Sequence, residues 1–172
     1  MTTIADTDAA PSHRWLRVLL VLIAALEFLE ALAGVQNIFI DRHHETALLR
    51  FAQGLTSIHL ALAPLLAGAA LIFAALGNIR YAIFALAALT LTAWVLEALP
   101  SIAIHGMSFS LDYASFEGVV LYIVASLVTV AALFLALKDK RLSLAALLVS
   151  LPALFKWVGL VLFIIAVLIY GF

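Results

Sequence analysis

The chain is expected to be an all-α integral membrane protein, a bundle of five transmembrane helices. Three observations carry that expectation. Two-thirds of the 172 residues are apolar (67%), against roughly 45–50% in a soluble domain. Charged residues make up only 11%, and the mean hydropathy is +1.24. Five apolar segments are each long enough to cross a hydrocarbon core of about 30 Å. A water-soluble packing of this length could not hide so much hydrocarbon. Backbone groups cannot go unpaired in lipid, so the segments are helices, and alternating barrel strands are absent from the sequence.

The first 14 residues form a polar tail containing Pro11. The rest, 15–172, reads as one transmembrane domain. Arg14 and Arg17 ahead of an apolar run also resemble the start of a secretory signal peptide, and Ala31-Leu32-Ala33 imitates a cleavage site. The apolar pattern, however, continues to Ile40, about 25 residues and one full crossing. The expectation is therefore an uncleaved first span, Trp15–Ile40.

Span two is expected over 47–76 and span three over 79–99, joined by Gly77-Asn78; span four covers 116–137. The longer loop 100–115 has room for a short interfacial piece. The final segment, 142–172, would be about 46 Å long as one helix, more than the core needs. Pro152 divides it. Either one tilted helix kinks there, or a short helix precedes a 20-residue span over 153–172. The second is the expectation, and it makes Lys156-Trp157 an interfacial anchor with the ammonium snorkelling to water. A four-residue match, Leu29-Glu30-Ala31-Leu32 with Leu96-Glu97-Ala98-Leu99, raises the option of two parallel two-helix repeats followed by a fifth helix.

Orientation follows from loop cations. Arg14, Arg17, Arg80, Lys138, Lys140 and Arg141 fall on the tail side, and only Arg42 and Arg50 on the other. The N-terminus is expected in the cytoplasm and the C-terminus outside, in a plasma membrane of the bacterial inner-membrane type.

Function centres on acids placed where lipid would otherwise be. Glu27 and Glu30 share a helix face that continues through Gly34, Asn37 and Asp41, with spacings 3, 4, 3 and 4. A carboxylate facing lipid costs about 2.5–3.5 kcal/mol on insertion scales, so this seam must face the bundle or a hydrated cavity. Span three carries a matching stripe of Thr90, Trp94, Glu97 and Ser101. Span two opens with Arg50, Gln53, Gly54 and Ser57. The three stripes grow more polar toward the loops holding Asp41, His43, His44, Glu45, His105 and Asp112. The expected form is a polar funnel, open outside and narrowing to Glu27, with Glu30 facing Glu97 and Arg50 available to offset their charge. His59 shares the depth of Glu27 but lies about 120° round from Gln53 at 100° per residue, which favours a neutral histidine bonded to a neighbouring helix. Gly118, Tyr122, Ser126 and Thr129 form a packing stripe on span four.

The candidate ligand- or ion-binding residues are thus Glu27, Glu30, Glu97, Gln53, Arg50 and His59. His43, His44 and His105 are weak metal candidates, because adjacent histidines diverge on a regular backbone and a solvated turn is the simpler reading. No catalytic motif, nucleotide loop or cofactor signature is present. The absence of cysteine removes disulfides and thiolate metal sites. A net charge of −1 offers nothing to nucleic acid. Three functional classes stay open: a protein that binds or passes a proton, cation or small polar ligand; an accessory subunit receiving partner helices or a second copy; and an outer-face membrane enzyme.

Overall fold

A computed structural model describes residues 11–39, 47–100, 102, 123–138 and 141–171. The described residues are all-helical, with no strand. Helix α1 runs Pro11–Val35 and ends in a 3₁₀ turn, Gln36–Phe39. Helix α2 is Ala47–Ala75, and α3 is Ile79–Ala93, extended by a π turn at Trp94–Ala98. Helix α4 is Ala125–Leu137 and α5 is Leu142–Tyr170. Four of these segments are long and apolar enough to cross a membrane; α4 is the shorter one. The first part of the expected fourth span, 116–122, lies outside the described residues.

Each helix packs on the next in the chain, and α5 returns to α1, so the five close into a ring. The turn between α2 and α3 is a Schellman motif. The Asn78 N–H donates to the Phe73 carbonyl (2.9 Å) and the Gly77 N–H to that of Ala74 (3.0 Å). Gly77 takes φ +81, a left-handed conformation that glycine adopts without a side-chain clash. Close approach fixes the register of α1 on α2. A β-carbon on Gly34 would meet Leu60 at 3.2 Å, and one on Gly68 would meet Phe28 at 3.3 Å. At one end of the bundle, the Arg17 guanidinium donates to the Ala75 carbonyl at the end of α2. Nearby, Arg80 donates to the Leu137 carbonyl at the end of α4 (3.4 Å). Both arginines meet the negative ends of helix dipoles.

Alanine makes up much of the buried core. Ala63, Ala67, Ala70 and Ala74 recur along α2 at spacings of 4, 3 and 4, and all are buried. Ala82, Ala87, Ala132, Ala136, Ala145 and Ala146 are fully buried on the other helices. Many large side chains face outward, Leu65 at 70% exposed and Leu168 at 79%, although Leu16, Leu20 and Ile83 are fully buried. This distribution suits hydrocarbon as solvent. Burial of leucine yields little there, so helices associate through small residues that let backbones approach.

The last segment corrects the expectation drawn from Pro152. A single helix runs Leu142–Tyr170 with Pro152 inside it. Neighbouring helices support such a break in membrane helices, so the missing N–H need not end the element. Trp157 packs against the bundle core.

If alanine sets the helix spacing, Ala70→Leu should destabilise the protein by about 1–3 kcal/mol through overpacking. Leu65→Ala, on the outer face of the same helix, should leave stability nearly unchanged. Thermal unfolding in one detergent checks both, and equal losses would contradict this account of the core.

Candidate functional site

The acidic face of α1 does turn inward. Glu27, Glu30, Gly34 and Asn37 all line a cavity of about 660 Å³ in the bundle. Thr90, Trp94 and Glu97 of α3 line it from a second side. His59 and Leu60 of α2, and Pro152, Ala153 and Lys156 of α5, complete most of the wall. The cavity therefore draws on helices far apart in sequence, and both polar stripes read from α1 and α3 meet in it.

Its strongest interaction joins α1 to α5. Lys156 Nζ lies 2.9 Å from Glu27 Oε1 and 2.6 Å from Glu30 Oε2. The lysine side chain is 34% exposed, that of Glu27 16% and that of Glu30 48%. Glu30 thus sits toward the open part of the cavity and Glu27 deeper, the order expected from their spacing. The three-residue interval matters chemically, because two carboxylates one helical turn apart present oxygens to one ammonium.

The compensating cation is therefore Lys156 rather than Arg50. Arg50 is exposed at the start of α2 and does not line the cavity, and Gln53 is half-buried outside it. Glu30 and Glu97 share the cavity, but Glu30 pairs with the lysine. A signal for Lys156 existed in the sequence: an ionisable residue in the interior of a long apolar helix is normally paired. Val149, Pro152, Ala153 and Lys156 also fall at the 3, 4, 7 spacing of one face, and all four line the cavity.

His59 is 8% exposed, and its Nδ1 is buried without a hydrogen-bond partner. The neighbouring-helix bond expected for it is not formed among the described residues. Trp94, whose Nε1 is also buried and unpartnered, and Glu97 both belong to the π turn of α3. Such turns recur at functional sites because they break the helical ladder locally. Thr129 of the α4 packing stripe is fully buried.

Among the described residues, no group of three or more histidines, cysteines or acids is placed to hold a metal ion. His43, His44 and His105 lie outside the described residues, as do Asp41, Glu45, Ser101 and Asp112.

Comparison of the chain with family models, curated proteins and solved structures finds no match. Any functional reading therefore rests on the cavity itself.

Replacing Lys156 by Met removes the shared cation and leaves two carboxylates facing each other. The loss of stability should fall between the roughly 1 kcal/mol of an exposed pair and the roughly 3–5 kcal/mol of a fully buried one. Adding Glu27→Gln and Glu30→Gln to Lys156→Met should restore much of it. Unfolding of the single and triple variants in detergent measures this, and an unchanged single variant would mean that the ion pair contributes nothing.

Proposed function

We propose that this protein is a small polytopic membrane protein whose central cavity binds or passes a proton, a cation or a small polar ligand. The observation that carries the reading is the cavity wall: three carboxylic acids, one lysine and a buried histidine converge on a space of about 660 Å³. Acids within membrane helices mark ion and proton paths by default, and the volume falls in the range of roughly 300–1,000 Å³ typical of small-molecule sites. In this reading the chain crosses the membrane five times. The arginine-anchored end of α1, α2 and α4 faces the cytoplasm, and the cavity opens to the outside of a plasma membrane. Glu30 meets the ligand first, while Lys156 holds Glu27 and Glu30 apart from lipid and gives up one of them when a competing cation or proton arrives.

A second reading, an accessory subunit of a larger membrane complex, draws on α5. From Val158 to Gly171 no residue is buried, so this stretch offers its apolar surface equally to lipid and to a partner helix.

The chain contains no cysteine, which makes single-cysteine probes clean. Ala93 lines the cavity. In right-side-out membranes, Ala93→Cys should react with a membrane-impermeant maleimide added outside, whereas Leu65→Cys, on the outer face, should not. An Ala93→Cys variant that resists the reagent from both sides would mean a closed, dry bundle and would favour the subunit reading.

In proteoliposomes with a trapped pH-sensitive dye and an imposed potassium diffusion potential, the wild type should dissipate the gradient faster than protein-free vesicles. Glu30→Gln, which keeps shape and removes charge, should return the rate to near the protein-free level. Equal rates for the wild type and Glu30→Gln would remove the glutamate from any proton path.

A further inference from the structure

We propose that α5 is a hinged gate on the cavity: its outer half, 153–171, swings away from α1 about Pro152, and Lys156 is the latch that holds it shut. The proposal rests on the cavity reading above and adds how that cavity opens on the side of α5. Burial divides the helix at this point. Ahead of Pro152, Ala145, Ala146, Val149 and Ser150 are buried. After it, Ala153 is buried, and Leu154 and Trp157 pack against the core from partly buried positions. From Val158 to Gly171 no residue is buried. The inner half is thus held by packing along its length, and the outer half by contacts near its base.

The backbone at the boundary is suited to bending. Pro152 has no N–H to give the Leu148 carbonyl one turn back, and its ring crowds that carbonyl. Two residues earlier, the buried Ser150 hydroxyl donates to the Ala146 carbonyl (2.8 Å). Such a bond competes with the helical ladder and often bends a helix. Pro152 lines the cavity, so the crowding lies on the cavity side. It opens the helix there and directs further bending away from α1.

Lys156 stands one turn beyond Pro152 on the same face. Its Nζ crosses to α1, 2.9 Å from Glu27 and 2.6 Å from Glu30. The lysine therefore belongs to the moving side of the hinge and its partners to the fixed side, since α1 is seated on α2 at Gly34 and Gly68. The ion pair opposes the bend. A kink of about 20° at Pro152 would carry Leu168, about 24 Å further along the helix, by about 8 Å. That movement widens the gap between α1 and α5 and gives the cavity an entrance from the lipid. A cation or proton that takes the carboxylates from Lys156 thereby works the gate.

The test uses the full chain in lipid nanodiscs, with spin labels on introduced cysteines and distances from double electron–electron resonance. An outer pair, Phe51→Cys with Leu168→Cys, joins α2 to the moving half. An inner pair, Ile72→Cys with Leu144→Cys, joins α2 to the fixed half, and all four positions are exposed. Lys156→Gln should lengthen the outer distance by up to about 8 Å, as the kink requires, and leave the inner one unchanged. Glu27→Gln with Glu30→Gln removes the latch from the α1 side and should give the same shift, which keeps the test open if the lysine variant misfolds. Pro152→Ala added to either restores an N–H to the ladder and should bring the outer distance back toward the wild type. A pyrene maleimide dissolved in the lipid should label Ala93→Cys severalfold faster in the latch variants than with the ion pair intact. Unmoved outer distances, equal lengthening of both pairs, a shift that survives Pro152→Ala, or an unchanged labelling rate would each overturn the gate. If the outer distance stays put while Ala93→Cys reacts with the impermeant maleimide, the gate falls and the open cavity stands. If Ala93→Cys is sealed from both sides in the wild type and in the latch variants, both fall together.

Discussion

The bundle depends on one shared ammonium. Helices α1 to α5 pack in chain order, each against the next in sequence. The closure of α5 on α1 joins helices at opposite ends of the sequence, and their packing is sparser than that of the other neighbours in the ring. Lys156, reaching Glu27 and Glu30 at 2.9 and 2.6 Å, supplies a directed bond at that closure. It also explains how α1 can carry two acids in an apolar stretch: each has a cation at hydrogen-bond distance, and the pair lies against a cavity instead of hydrocarbon. Structure and function meet in these three side chains, because the bond that fixes the fold is also one that a charged ligand can perturb.

Packing by alanine makes such a cavity possible. A leucine core would fill the space between helices and hold them apart, whereas backbones separated only by methyl groups come close at some levels and diverge at others. In α2 the buried alanines run from Ala63 to Ala74, and the cavity lies at the Ala63 end, where Ala63, Leu60 and His59 line it. The fully buried positions of α4 and α5, such as Ala132, Ala136, Ala145 and Ala146, also lie in the tight part of the bundle. The tight end carries the arginine-to-carbonyl anchors, and the cavity lies beyond it.

Much of this was legible in the sequence, for a physical reason. Hydropathy reports solvent, so α2 and α3 were expected at 47–76 and 79–99 and occur at Ala47–Ala75 and Ile79–Ala93 with its π turn. Periodicity reports which residues share a face, so the stripes Glu27–Glu30–Asn37 and Thr90–Trp94–Glu97 were readable within single helices. Neither reports the rotation of one helix against another. For that reason Arg50 and Gln53 were expected in the site and lie outside it, while His59, about 120° round the same helix, lines the cavity. Lys156 departs from its sequence pattern for a different reason: proline tends to break a helix in water, and the burial of the residues beside Pro152 by the rest of the bundle overrides that tendency.

The π turn at Trp94–Ala98 has a consequence for how such a pocket could change over generations. A turn of this kind holds one residue more than the α turn it replaces, as though a single codon had been inserted into a regular helix. At about 100° per residue, gain or loss of that residue re-aims everything beyond it and leaves the preceding helix in place. The part of α3 that packs on its neighbours, with Ala82, Ile83 and Ala87 fully buried, is thereby insulated from the part that presents Glu97. Selection could retune the acid of this cavity by small changes in length, without revising the alanine contacts on which the bundle stands.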